Sequence, residues 1–340
     1  MEPSSTSSSD PGRKPGVSWF LGKIFLFLLG GLLLLVPLCV ASLRADRAAL
    51  DSQVLKFGPD KTLMIAGDSH TETSINPEML TNAVSVARSA ERYFYTYFKI
   101  KHLIDKNPQV KTVVLGFSPH NIMNRDKNLY EDRVNMWKDY FLILDTPARQ
   151  QLATFRLPYV VAFLRSEYGM PFRLFRDPIV LNYILGRTVN KRDDLAFIGG
   201  YLPLQRSTLN TSKISKRVND HFRNGKQYAG SSSIMLDYLH KIATLCSDHG
   251  IKLILLNTPV TDTYRELIPM EACGEFHQVT TRLTREFSNV MYCDLSTFSL
   301  QPNNFSDGDH LNSSGAHIFT KYLADNYPEF VSMRLDGKMN

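Results

Sequence analysis

The sequence predicts an α/β domain: a mostly parallel sheet sandwiched by helices, with a helical insertion and one N-terminal transmembrane helix. Three observations lead there. Short apolar runs of strand length, at residues 62–66, 110–117 and 251–257, are each closed by turn-forming residues. Between them lie segments with apolar residues at helical spacing, at residues 91–106 and 231–249. The 340 residues are 43% hydrophobic and 21% charged, which is enough material for a large core. Strands that alternate with helices join as parallel neighbours through crossovers.

In chain order, residues 1–15 are rich in Ser and Pro with almost nothing apolar, and they read as a disordered tail. Residues 16–43 read as a membrane anchor. Within them, residues 24–43 are an uncharged stretch of 20, which as a helix rises about 30 Å and matches a bilayer's hydrocarbon core. A cleaved signal peptide is the competing reading, but its apolar region is usually only about 7 to 15 residues. Arg13, Lys14 and Lys23 before the span, against Arg44 and Arg47 after it, favour a cytoplasmic N-terminus. The expected location is therefore a single pass of the cytoplasmic membrane, with the C-terminal domain facing the periplasm or exterior.

Residues 44–60 read as a stalk, residues 61–330 as the α/β domain and residues 331–340 as a tail. The domain opens with a buried strand at 62–66, a weaker one at 81–87, a helix at 91–106 through Phe94, Tyr97, Phe98 and Ile104, and a strand at 110–117 stopped by Ser118-Pro119. From about 125 to 207 aromatic- and Arg-rich helical fragments are punctuated by Pro147, Pro158, Pro171 and Pro178, as in an insertion or cap. An amphipathic helix at 231–249 stops at Gly250. A strand at 251–257, a helix at 264–287 broken near 269–274, and a short strand at 290–294 follow. Ser313 or Ser314 is expected to cap a final helix whose apolar face is Ala316, Phe319, Tyr322 and Leu323.

The net charge of +6 is spread along the chain without a basic block, and no nucleic-acid motif accompanies it. No C-x-x-C or H-E-x-x-H spacing supports a metal site, and no cofactor motif occurs. Cys39 lies in the expected span, which leaves Cys246, Cys273 and Cys293. In an oxidising space these suffice for one disulfide and one free thiol, with the pairing open.

The chemistry concentrates in two short segments. Gly67-Asp68-Ser69-His70 follows the first strand, and Asp307-Gly308-Asp309-His310-Leu311-Asn312 lies between the last strand and the last helix. In an open parallel sheet both loops reach the same carboxyl edge. A serine hydroxyl needs a base to become a nucleophile, and that imidazole needs an acid to fix its tautomer. Ser69, His310 and Asp307 are the candidates for those roles. Taken singly, each segment also reads as an ordinary polar turn.

A Gly-Asp-Ser after the first strand and an Asp-x-x-His before the last helix resemble the GDSL or SGNH hydrolase superfamily. His70 in place of the family's Leu, the single anchor and the ending D-G-D-H-L-N resemble its membrane-tethered carbohydrate O-acyltransferases, of the alginate O-acetylation and D-alanyl-teichoic-acid transfer kind. The resemblance covers residues 60–125 and 228–326 and leaves the insertion unaccounted for. It implies Ser69 as nucleophile, His310 as general base and Asp307 as orienting acid. The family's second block supplies a Gly and its third a G-x-N-D, whereas this chain has Arg88-Ser89-Ala90 and Ser118-Pro119-His120-Asn121. Oxyanion or substrate contacts then fall to Ser69's own amide and to Ser89, His120, Asn121, Asp68 or His70, with His70 and Glu72 adjoining Ser69 and shaping the pocket.

The implied function is O-acyl transfer, acetyl first among the groups, onto a cell-surface polysaccharide through an acyl-serine. The implied partner is a multispanning membrane protein that delivers the acyl donor. A carbohydrate or lipid acyl esterase of the same fold is an alternative. A catalytically silent glycan-binding subunit of an envelope-polymer complex is another.

Overall fold

A computed structural model of the chain describes residues 56–126, 136–140, 143–155, 198–205 and 209–331, with residues 17, 19–31, 33 and 37. The chain separates into two units, Met1–Ser52 with Pro158–Lys191 and Gln53–Leu157 with Arg192–Asn340. The described residues of the first are helical. Among the described residues no helix is long and apolar enough to cross a membrane. That does not support the expected anchor at 24–43, half of which lies outside the described residues. The tails at 1–15 and 332–340, the stalk as far as residue 55 and most of the insertion lie outside them as well.

The second unit carries the sheet. Its elements are β1 (Leu63–Ala66), α1 (Ser69–Ser74), β2 (Ala83–Ser85), α2 (Tyr93–Ile104), β3 (Thr112–Gly116), α3 (Met136–Tyr140), α4 (Thr146–Phe155) and α5 (Thr211–Phe222). They continue with a two-residue hairpin, β4 (Arg223–Asn224) and β5 (Gln227–Tyr228), then α6 (Ser233–Asp248), β6 (Lys252–Asn257), α7 (Asp262–Glu266), α8 (Met270–Glu286), β7 (Val290–Asp294) and α9 (Ser313–Asn326).

Five strands form one parallel sheet in the order β2-β1-β3-β6-β7. Leu63 is level with Ala83 and Thr112, and Leu253 with Val113 and Val290. β1 and β3 are buried throughout, so their sequences are unbroken apolar runs rather than alternating ones. Leu63, Ile65, Val114, Ile254 and Leu256 pack with Phe319 and Leu323 of α9 on one face. By the two-residue period of a strand, Met64, Val113, Leu115, Leu253 and Leu255 point to the other. Each such buried side chain contributes about 1.5–3 kcal/mol. α2 and α6 pack on one another, with the Phe94 and Tyr238 rings 4.8 Å apart.

The expected elements recur with shifted ends. β2 is only three residues, although Val86 and Arg88 extend its pairing through amides donating to Ile65 and Gly67. The helix expected at 264–287 with a break near 269–274 is two, α7 and α8, separated at residues 267–269, with Pro269 at the start of the second because proline fits the first turn of a helix and not its interior. The cap of α9 is Asn312, not Ser313 or Ser314: its side chain accepts from the Ser314 and Gly315 amides. Among the described residues no disulfide joins the cysteines. Cys246 is buried on α6, Cys293 lies in the core with its thiol 2.9 Å from the Tyr327 hydroxyl, and Cys273 is exposed. Each occupies a different environment, and burial pushes the Cys246 thiol up to about 12.

Candidate active site

Every loop that builds the site leaves the carboxyl edge of the sheet, as the parallel topology requires. After β1 the chain passes through Gly67 at φ 133°, a conformation that L side chains rarely adopt. A Cβ there would also lie 2.9 Å from the Gly116 amide at the end of β3. The glycine thus lets the loop that carries Ser69 turn tightly against the neighbouring strand. Ser69 is not in an open loop but is the first residue of α1, and Asp68 caps that helix by accepting from the His70 amide at 3.0 Å.

The second segment is a tight turn organised by Asp307. Its Oδ1 accepts from the Asp309 and His310 amides at 3.1 and 2.9 Å. The amide and hydroxyl of Thr261, beyond β6, both donate to the Gly308 carbonyl. These anchors aim His310 at the serine: its Nε2 lies 2.8 Å from Ser69 Oγ, and its Nδ1 lies 3.0 Å from both Asp307 oxygens. The partners assign the tautomer, with Nδ1–H donating to the carboxylate and Nε2 accepting from the hydroxyl. Burial alone would lower the His310 pKa, but the Asp307 hydrogen bond and the charges of Asp309 and Asp307 raise it above its ordinary value. Burial likewise opposes ionisation of Asp307, and His310 outweighs it, holding that carboxyl well below the usual range.

Asp68, His120 and Asn121 form a separate cluster. His120 Nε2 and Asn121 Nδ2 donate to Asp68 Oδ2 at 2.7 and 2.8 Å. Asn121 Oδ1 in turn accepts from the Ser118 amide at 2.7 Å. The Asn121 amide group is thus committed to the loop and to Asp68. Burial, then the neighbouring His70, depress the His120 pKa to about 4, so at neutral pH it is an uncharged donor. Burial would raise the Asp68 carboxyl, but the contacts from His120 and His70 hold it well below the usual range. Ser89, the other oxyanion candidate, is also engaged: its hydroxyl donates to the buried Glu72 carboxylate, whose pKa burial raises. Among the candidates, Ser69's own amide at the start of α1 is the donor adjacent to the hydroxyl.

His70 lies between the two clusters. Its ring centroid is 4.1 Å from that of His120 and 4.9 Å from that of His310, and its Nε2 donates to Asp309 at 3.0 Å. Four neighbours were not legible as site residues. Asp309 is buried, with an oxygen 3.6 Å from His310 Nδ1. Arg217 on α5 contacts Asp307 at 3.2 Å and Asp309 at 3.3 Å. His221, one turn on, stacks on His120 with ring centroids 4.8 Å apart and hydrogen-bonds Tyr264 at 2.6 Å. The signal that would have found Arg217 and His221 is their spacing of four, which puts both on one helix face. Asp309 stood inside the motif, one residue from His310.

These groups line a cleft of about 530 Å³ that includes Ser69, His310, Asp307, Arg92, Arg125 and Arg217. A second cavity of about 550 Å³, lined by Phe222, Val260, Tyr264 and Phe276, shares His70 and His120 with it. Arg88 turns away from solvent and pairs with Asp139 at 2.6 Å. Tyr93, Phe94, Tyr95 and Phe98 are buried in the core. No protein-family model matches the chain, and a search of curated proteins finds no significant match.

Proposed function

We propose that the chain is a serine-dependent acyltransferase of SGNH-like fold that moves an acyl group, acetyl foremost, from a donor to a sugar hydroxyl of a cell-surface polysaccharide. The observation that carries the reading is the continuous hydrogen-bonded chain Ser69–His310–Asp307 opening into the cleft. In it, His310 Nε2 takes the hydroxyl proton as Ser69 Oγ attacks the acyl carbonyl. Asp307 holds the ring and stabilises the imidazolium that forms. The same proton then goes to the leaving group, and an acceptor hydroxyl, deprotonated by His310, releases the acyl group from Ser69. The Ser69 amide is the first donor to the oxyanion. A missing second donor costs about 3 kcal/mol of transition-state stabilisation, which corresponds to a slow enzyme rather than an inactive one.

Hydrolysis uses the same residues with water as acceptor, so the esterase reading differs only in the second half-reaction. The intact chain to Ser69 argues against a silent glycan-binding subunit, since a binding role needs no aligned base. Location at a membrane, and a multispanning partner as the source of the donor, rest on the uncharged stretch at 24–43 and on the resemblance of the two motifs. Incubating the full chain with an activated acetyl ester, with and without oligosaccharide, tests the reading. An acetyl mass increment on Ser69 that passes to the sugar is the expected result. An increment released only to water favours the esterase, and no increment on a folded chain counts against both.

A further inference from the structure

We propose that His70, Asp309 and His310 form a binding site for one divalent transition-metal ion of the zinc class, and that filling it withdraws His310 from Ser69 or Asp307. The three side chains are buried and offer donor atoms that all lie within 4.8 Å of one another. Two buried polar atoms of the group, His70 Nδ1 and Asp309 Oδ1, have no hydrogen-bond partner. Two imidazoles and one carboxylate suit zinc-class ions, whereas magnesium and calcium prefer sets made of oxygen. Donors at about 2.0–2.1 Å around a tetrahedral ion are about 3.4 Å apart, so the widest separation closes by at most about 1.4 Å, while His70 Nε2 and Asp309 Oδ2 are already 3.0 Å apart.

The exclusion follows from counting nitrogens. His310 has two, and both are committed: Nδ1 to Asp307 and Nε2 to Ser69. A metal that takes either one breaks a link of the chain, and any proton on that nitrogen leaves to solvent. The resident cation beside these groups is Arg217, whose Nε is 3.3 Å from Asp309 Oδ1. Its side chain is 41% exposed and so has room to swing away as an ion enters. Binding itself is independent of the acyl-transfer reading; only its effect on Ser69 chemistry rests on that reading.

The test titrates the full chain with Zn²⁺, using Mg²⁺ as the control, by calorimetry, and follows Ser69 labelling by a fluorophosphonate. One Zn²⁺ per chain and no Mg²⁺ are expected. Labelling should slow tenfold when free Zn²⁺ is about nine times its Kd, because only the unoccupied fraction reacts, and recover with a chelator. His70→Gln and Asp309→Asn should each weaken Zn²⁺ at least tenfold, and Arg217→Ala should tighten it. Absence of binding, or binding unchanged in both ligand variants, overturns the site. If those variants do not fold, Co²⁺ added to the wild-type chain decides: paramagnetic shifts on His70 and His310 support the site, and shifts confined to His240, His277 or His317 overturn it. Ligand-dependent Zn²⁺ binding in a chain whose Ser69 never labels leaves the metal site standing and removes the acyl-transfer reading.

Discussion

Two aspartate–histidine pairs stand at the carboxyl edge of one sheet, Asp307 with His310 and Asp68 with His120, and their imidazoles are tuned in opposite directions. Both histidines are buried, and burial disfavours the charged ring in each. His310 overcomes it because Asp307 contacts its Nδ1 through both oxygens and Asp309 adds a second negative charge 3.6 Å away. His120 does not: it shares Asp68 with Asn121, and the His70 ring presses against it. One pair is therefore built to receive a proton at near-neutral pH and faces a hydroxyl. The other stays neutral and clamps the cap of the helix that Ser69 begins. Residue type alone does not distinguish a base from a clamp; the balance of carboxylate contacts against burial and a neighbouring imidazole does.

The largest effects should come from the first pair. Ser69→Ala should abolish covalent labelling, and His310→Ala should slow acyl transfer by about 10⁴-fold or more, with the thermal transition close to wild type. Asp307→Asn should slow it by about 10³ to 10⁴-fold. It should also move the acid limb of the rate profile to lower pH, since it removes the group that raises the His310 pKa. A profile that does not move would erase the distinction between the pairs.

Variants in the second pair should affect stability more than chemistry. His120→Ala or Asp68→Asn leaves a buried partner unsatisfied and should cost about 1–3 kcal/mol in denaturant unfolding. The sign with pH is also fixed. His120 has a folded pKa of about 4, below its ordinary 6.5, so its contribution is present above 6.5 and is lost as pH falls through that window. His310, raised, contributes fully below its ordinary value and loses that contribution as pH rises past its folded pKa. The His120→Ala variant should therefore show a shallower fall in stability between pH 6.5 and 4, by at most about 1.4 kcal/mol per pH unit. The smallest effect is expected from Arg217→Lys. Its target Asp307 is 40% exposed, and loss of this outer contact should change the labelling rate only a few-fold.

Much of this geometry could be read from residues whose constraints are local. The apolar runs ending at Ala66, Gly116 and Asn257 became adjacent strands, and the Asp307-x-x-His310 spacing became a turn that hands one ring nitrogen to the acid. What could not be read depends on distant partners. Ser89 looked like a free donor until Glu72, on the helix begun by Ser69, took its hydroxyl. Asn121 looked available until Asp68 claimed it. The histidine cluster draws on α1, the loop after β3, α5 and the loop after β7, and no spacing within the chain announces that convergence. Asn312 prevailed over the serines as a cap because its side chain also donates to the Asn303 carbonyl, tying the helix to the preceding turn.

In the proposed mechanism His310, and not His120, is the base that activates Ser69. The direct test is the rate of Ser69 acylation by an activated acetyl ester as a function of pH, in the wild type and in His120→Ala. The prediction is a rate that rises through one ionisation above pH 6.5 and keeps that midpoint in the variant. A midpoint near pH 4, or one that moves when His120 is removed, would contradict it.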